Sequence, residues 1–152
     1  MATLHLMIGL PGSGKTTRAK ELEQECGALR LTPDEWQVFL FGNDVDDQAH
    51  DARHTKIEKI MWSVAERTLA LGVDVILDFG CWARSEREDF RVRAHALGAD
   101  FKLHVMDVPL DELRRRLAVR NRQVGSAPVF HISDENLIKW ATVFQQPGAD
   151  EL

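Results

Sequence analysis

Short apolar runs alternate along this chain with longer segments in which apolar residues recur every three or four positions. Leu4-His5-Leu6-Met7-Ile8 is a run of the first kind and reads as a buried strand. Thr16 to Cys26 reads as a helix, with Gly27 as its left-handed C-terminal cap. Ala28-Leu29-Arg30-Leu31 predicts a short second strand, and Pro33 to about Leu40 a short helix. A long helix follows from about Asp47 to Leu71, carrying Ile57, Ile60, Met61, Val64 and Thr68 on one stripe, and Gly72 stops it. Val73 to Phe79 is almost continuously apolar between its acids Asp74 and Asp78, the pattern of a parallel strand covered on both faces. Ser85 to Leu97 predicts a helix opened by the capping box Ser85-x-x-Glu88 and closed by Gly98. Phe101 to Val108 is a fourth strand, Leu110 to about Asn121 an Arg-rich helix, and Val124 to Ile132 a mobile loop. Ser133 then caps a last helix through Phe144.

Strands alternating with helices predict an α/β fold: a doubly wound parallel sheet of four strands, or five with one unplaced, whose site lies at the strands' carboxyl ends. The chain's 152 residues make a single domain, 1–152. No apolar run approaches the roughly 18 residues needed to span a membrane. The first strand begins at once, leaving no room for a signal peptide, and Cys26 and Cys81 show no metal-binding spacing. A reducing, cytoplasmic setting is the expectation. The net charge of −5 argues against a protein that coats nucleic acid, although a local basic groove is compatible with the clustered arginines.

One segment narrows the chemistry. Gly9, Leu10, Pro11, Gly12, Ser13, Gly14, Lys15 and Thr16 match the phosphate-binding pattern G-x-x-x-x-G-K-[ST] at every fixed position, between a predicted strand and a predicted helix. Glycines let such a loop wrap backbone N–H groups around an anion, and the helix N-terminus, continuing through Thr17, adds partial positive charge. Lys15 is expected to reach the β- and γ-phosphates of ATP, and the Thr16 hydroxyl to hold Mg²⁺. A Gly-rich turn that binds nothing would explain the glycines but not Gly-Lys-Thr at a helix start.

Other residues carry two readings each. Asp34 follows the second strand and faces the expected γ-phosphate as a general base; it equally suits the first turn of a helix capped by Thr32-x-x-Glu35. Asp78 ends the third strand beside Thr16, suited to the metal's water shell or the acceptor, or to an ion pair with Arg84 or Arg87. On the Arg-rich helix, Leu110, Leu113 and Leu117 mark the buried stripe; Arg116 and Arg120 fall beside it while Arg114 and Arg115 point away. Arg120 and Arg122 are placed to close over the triphosphate as a lid. Arg84 and Arg87 are candidates to hold an acceptor, and Trp36 and Trp82 to wall its pocket or fill core. His50-x-x-x-His54 reads as a metal pair or, better, as a solvated polar face.

The phosphate loop, Thr32-Pro33-Asp34-Glu35-Trp36, Leu77-Asp78-Phe79-Gly80, Asp107-Val108-Pro109 and Arg120-Asn121-Arg122 together resemble the small P-loop kinases. That group of P-loop NTPases includes polynucleotide kinase, chloramphenicol phosphotransferase and the zeta-toxin kinases, and is often labelled AAA-type. The resemblance implies an ATP-dependent phosphotransferase acting on a hydroxyl, with Asp34 as general base and Arg120 or Arg122 as lid arginine. It implies that Phe144-Gln145-Gln146-Pro147 borders the adenine, with Gln146 in contact. Polynucleotide kinase carries an Arg shortly after its base, where this chain has Trp36 and Gln37. A small-molecule hydroxyl is therefore the expected acceptor, ahead of a polynucleotide 5′-hydroxyl and of an ATP-gated switch with slow hydrolysis.

Overall fold

The computed structural model describes residues 1–122 and 129–152. Its strands are β1 (Thr3–Ile8), β2 (Leu29–Leu31), β3 (Val75–Gly80) and β4 (Asp100–Val105), all parallel, in the order β2-β3-β1-β4. The helices are α1 (Lys15–Cys26), α2 (Pro33–Phe41), α3 (His50–Ala70), α4 (Arg84–Ala96), α5 (Leu110–Asn121) and α6 (Asp134–Val143), followed by a 3-10 turn at Ala149–Glu151. The expected fold class holds, and no fifth strand is found among the described residues. The expected loop from Val124 falls largely on residues 123–128, outside the described residues.

β1 lies between β3 and β4, so both of its faces must be covered. Leu4, Leu6 and Ile8 pack with Val75 and Leu77 against Ile57, Met61, Ala65 and Leu69 of α3 and Ala94 of α4. Met7 and Ile76 pack on the other face against Ala19 and Leu22 of α1. Met61 is fully buried, and truncating such a residue to Ala costs about 2–5 kcal/mol. The α3 stripe runs through every fourth residue from Ile57; Ile60, expected on it, is exposed because it lies a turn's quarter away.

Three local expectations are corrected. α3 starts at His50, since Asp44 to His50 forms successive turns and Asp47 Oδ1 accepts the Ala49 N–H. Neither expected capping box forms. Ser85 lies inside α4, whose Arg84 N–H donates to Gln145 Oε1 from the C-terminal segment. Thr32 does precede α2, but its hydroxyl turns away from the helix and Glu35 pairs with Arg30 instead. Gly27 adopts the left-handed conformation, and Ser133 Oγ accepts the Asn136 N–H, both as expected.

The carboxyl end of β1 sits where the chain departs to β2 and β3 on one side and β4 on the other, the position at which open α/β sheets bind ligands. A third apolar cluster of Leu113, Leu117, Phe130, Ile132 and Leu137 joins α5 to α6 beside that end.

Candidate active site

Residues 9–14 leave β1 as a loop and enter α1 at Lys15. Gly12 and Gly14 have φ of 83° and 88°, in the left-handed region that side chains disfavour. At Gly9 the constraint is close approach: a Cβ there would meet Ser13 Oγ at 2.5 Å. Gly14 is the N-cap of α1 and offers no side chain, so the first-turn N–H groups of the helix face the loop's concavity. Ser13 Oγ is buried and has no hydrogen-bond partner among the described residues. An orphaned hydroxyl inside a ring of backbone donors fits an anionic phosphate ligand.

Asp78 anchors the site. It is 2% exposed and accepts from Lys15 Nζ at 2.7 Å, Thr16 Oγ1 at 2.6 Å and Thr32 Oγ1 at 3.0 Å. The alternative ion pair with Arg84 or Arg87 is not made. Burial by itself would lower the Lys15 pKa, but Asp78 and then Asp34 outweigh it and hold the ammonium above its ordinary value. The Thr16 hydroxyl and Asp78 carboxylate, two hard oxygen donors in contact, fit the coordination preferences of Mg²⁺. Thr32 belongs to this group although the sequence suggested only a cap.

A cavity of about 670 Å³ runs from the loop, including Thr17, to the walls of α2 and α3. Asp34 lines it, half-buried, with Oδ1 3.9 Å from His54 Nδ1. Behind Asp34, the fully buried Gln37 organises a polar network that has no signature in the local sequence. Its Nε2 donates to Asp44 at 3.1 Å and to the His50 carbonyl at 3.1 Å, so its Oε1 accepts the His54 Nδ1–H at 2.9 Å. His50 Nδ1 lies 2.8 Å from Asp44 Oδ1, and Arg53 donates to Asp44 Oδ2. His50 and His54 therefore form neither a solvated face nor a three-ligand cluster with the neighbouring acids. Burial, opposed by the Asp34 charge and aided by His50 and Lys15, lowers the His54 pKa.

Glu58, one turn beyond His54, also lines the cavity, with Oε2 3.7 Å from His54 Nε2. Burial, then the Glu86 and Asp34 charges, pushes its pKa up to about 8. Asp34, Asp51, Glu58 and Glu86 give this half of the cavity an acidic lining.

The remaining candidates separate. Arg120 lines the cavity, donates to the Phe130 carbonyl at 3.1 Å and leaves Nε buried without a partner among the described residues. Burial lowers its pKa against the pull of Asp34. Arg116 also reaches the cavity and donates to the Gly12 carbonyl. Arg122 is exposed at the end of α5 and does not line the cavity. Arg114 and Arg115 pair with Asp134 and Glu112 on the exposed face, as helical geometry predicts. Trp82 lines the cavity, stacks obliquely on Trp140 and donates Nε1–H to the Gly9 carbonyl.

Four expected contacts lie elsewhere. Trp36 borders a separate depression with Phe39 and Leu40, because α2 turns it outward. Arg84 is exposed and paired with Asp150. Arg87 is 1% exposed, and its donors are taken by Glu151 and the Cys81 and Trp82 carbonyls, which makes it a strut under the loop after β3. Gln146 is exposed and outside the cavity; its neighbour Gln145 makes the structural contacts instead.

An AAA domain family profile matches residues 4–147. No curated protein sequence matches the chain. Among solved structures, a chain of the Pnkp1/Rnl/Hen1 RNA repair complex superposes with a TM-score of 0.71 at 22% identity, covering 93% of this chain and 43% of that one. Chaetomium thermophilum Kti12, in complex with ADP-AlF3, gives 0.73 at 20% identity, covering 95% and 81%. A gluconokinase from Sinorhizobium meliloti gives 0.60 at 15% identity, covering 98% and 77%. The chain thus spans less than half the length of the RNA repair chain. These likenesses establish the shared α/β fold, with its parallel sheet and flanking helices.

Proposed function

The chain belongs to the AAA domain family, and on that footing we propose that it is an ATP-dependent phosphotransferase whose acceptor is the hydroxyl of a small molecule. The observation that carries this reading is the continuity of one cavity from the phosphate loop to Asp34. A nucleotide switch needs the loop alone; a kinase needs a second chamber with a base facing the transferred group.

Lys15 and the loop N–H groups would hold the phosphates, and Thr16 with Asp78 would hold Mg²⁺, which would supply neutralisation of the phosphate charge. Asp34 would take the proton from the acceptor hydroxyl, and Arg120 would offset charge on the transferring group. The acidic lining of the acceptor half supports a neutral or cationic hydroxyl compound, since the Asp34 and Asp51 carboxylates would repel a phosphodiester chain. Free thiols at Cys26 and Cys81 support a reducing, cytoplasmic setting.

The test is an ADP-release screen over a library of neutral, amino-substituted and phosphorylated hydroxyl compounds, with product masses recorded. ADP release that requires a particular compound, with one phosphoryl group added to it, is the expected result. A rate that never exceeds hydrolysis by water would favour a switch, and salt-sensitive labelling of oligonucleotide 5′ ends would favour a polynucleotide kinase.

A further inference from the structure

At the end of the sheet opposite the phosphate loop, three side chains from distant parts of the sequence converge. His5 is on β1, Cys26 is the last residue of α1, and Asp74 immediately precedes β3. An imidazole nitrogen, the thiol sulfur and a carboxylate oxygen all lie within 4.8 Å of one another. Among the described residues, no other group of three His, Cys, Asp or Glu side chains is gathered so closely.

The gap between His5 and Asp74 is wide enough to hold a shared ion. His5 is 4% exposed, and its Nε2 is buried with no hydrogen-bond partner among the described residues. Asp74 Oδ2 stands 3.5 Å from it, beyond the about 2.7–3.2 Å of a good N–H···O bond. Two ligands bound at about 2.0–2.1 Å to one tetrahedral zinc stand roughly 3.3–3.4 Å apart. The observed gap therefore suits two groups that flank a shared cation.

The outer contacts also fit. His5 Nδ1 lies 2.9 Å from His104 Nε2; with the proton on Nδ1, Nε2 presents its lone pair toward Asp74 and Cys26. Asp74 Oδ1 accepts the Thr3 N–H at 2.8 Å, which fixes the carboxylate. Metal-binding imidazoles and carboxylates are oriented by bonds of this kind. Cys26 is exposed, giving an ion a route from solvent.

We infer that His5 Nε2, Cys26 Sγ and Asp74 Oδ2 form a binding site for a divalent transition metal of the zinc class, with water in the fourth position. A thiolate and a carboxylate balance a dication, and the thiolate with imidazole favours zinc over Mg²⁺ or Ca²⁺. The ion would clip the end of α1 to β1 and to the approach to β3. The site is separate from the phosphotransfer site and does not rest on that reading. The spacings of 21 residues from His5 to Cys26 and 48 from Cys26 to Asp74 explain why no motif announced it.

The test uses the full chain, stripped of metal, reduced with a non-chelating phosphine and free of nucleotide, titrated with Co²⁺ and then Zn²⁺. One equivalent of Co²⁺ should give a near-ultraviolet thiolate charge-transfer band that Zn²⁺ abolishes, and Zn²⁺ should raise the melting temperature. Cys26→Ser, at an exposed helix end where folding is unaffected, should lose the band and weaken Zn²⁺ binding about tenfold or more. His104→Ala should weaken it by roughly 10–100-fold through loss of the orienting bond. The inference is overturned by a parent protein without the band, by a band that survives Cys26→Ser, or by Zn²⁺ affinity unchanged in both Cys26→Ser and Asp74→Asn.

Discussion

Lys15 Nζ lies 2.7 Å from Asp78 Oδ1, and the Asp78 side chain is wholly shielded from water. The pair joins the start of α1 to β3, so the phosphate loop and the acidic residue beside it are held in one geometry. It also couples nucleotide binding to stability. Removing one member of a buried pair leaves the other charge uncompensated, at a cost of about 3–5 kcal/mol.

Lys15→Ala should therefore lower the stability of the nucleotide-free protein by about 3 kcal/mol, because the Asp78 charge keeps only the Thr16 and Thr32 hydroxyls. Adding Asp78→Asn should return most of that loss. Mg·ATP at about 100 times its dissociation constant should stabilise the parent by roughly 2.7 kcal/mol and either variant far less. Urea melts with and without Mg·ATP measure all of these. An undiminished ATP effect in Lys15→Ala would mean that nucleotide binds elsewhere.

Glu58 makes the fold sensitive to pH. Its carboxyl ionises near 4.5 when unfolded and at about 8 in the native cavity. Between those values the unfolded chain has released the proton and the native chain still holds it, so stability falls as pH rises through the window, and the loss is complete above about 8. Gln keeps the shape of the protonated form. Glu58→Gln should stabilise the protein by up to about 5 kcal/mol at pH 9 and by much less at pH 5, read from melting temperatures across the range. An equal effect at both pH values would assign Glu58 a packing role alone.

Arg120 and Arg122 look interchangeable in the sequence, but of these two only Arg120 lines the cavity. Arg120→Ala should lower kcat by about tenfold or more with little change in ATP affinity, whereas Arg122→Ala and Arg115→Ala should leave kcat close to the parent value. Similar losses in all three variants would indicate a diffuse electrostatic effect instead of a specific contact.

The loop, the alternation of strands and helices, and the exposed and cavity-facing sides of α5 were legible because each is written in short-range pattern: fixed glycines, apolar periods, and a rotation of 100° per residue. Contacts between distant segments were not. Arg87 sits in the first turn of α4 and looked available for an acceptor, yet Glu151, 64 positions on, takes it into the interior. Thr32 satisfied the letter of a capping box, but Asp78 competes for its hydroxyl from 46 residues away. Gln37 is a polar residue on a short helix until α3 brings His50 and His54 over it. These outcomes are set by which side chains meet across the sheet's carboxyl end, and no local propensity encodes that.

The distinction between kinase and switch falls on Asp34. Its carboxylate faces the cavity, half-buried, without a cap-type bond to hold it, since neither Thr32 nor Asp34 closes the α2 N-terminus by a side-chain bond. Asp34→Asn keeps the size and much of the favourable interaction with the helix start, but it has no basic oxygen to receive a proton. A general base contributes about 10²–10⁴-fold to rate, whereas the loss of a helix-dipole contact costs about 1 kcal/mol or less in stability alone. The variant should thus fold and bind ATP like the parent while phosphoryl transfer to the acceptor drops by about a hundredfold or more; slow hydrolysis by water should fall less. Glu58→Gln provides the contrast, because Glu58 is a second carboxyl of the same cavity that becomes a base as it ionises at about 8. If Glu58→Gln abolishes transfer and Asp34→Asn leaves it nearly normal, the base is Glu58, and Asp34 serves the helix start.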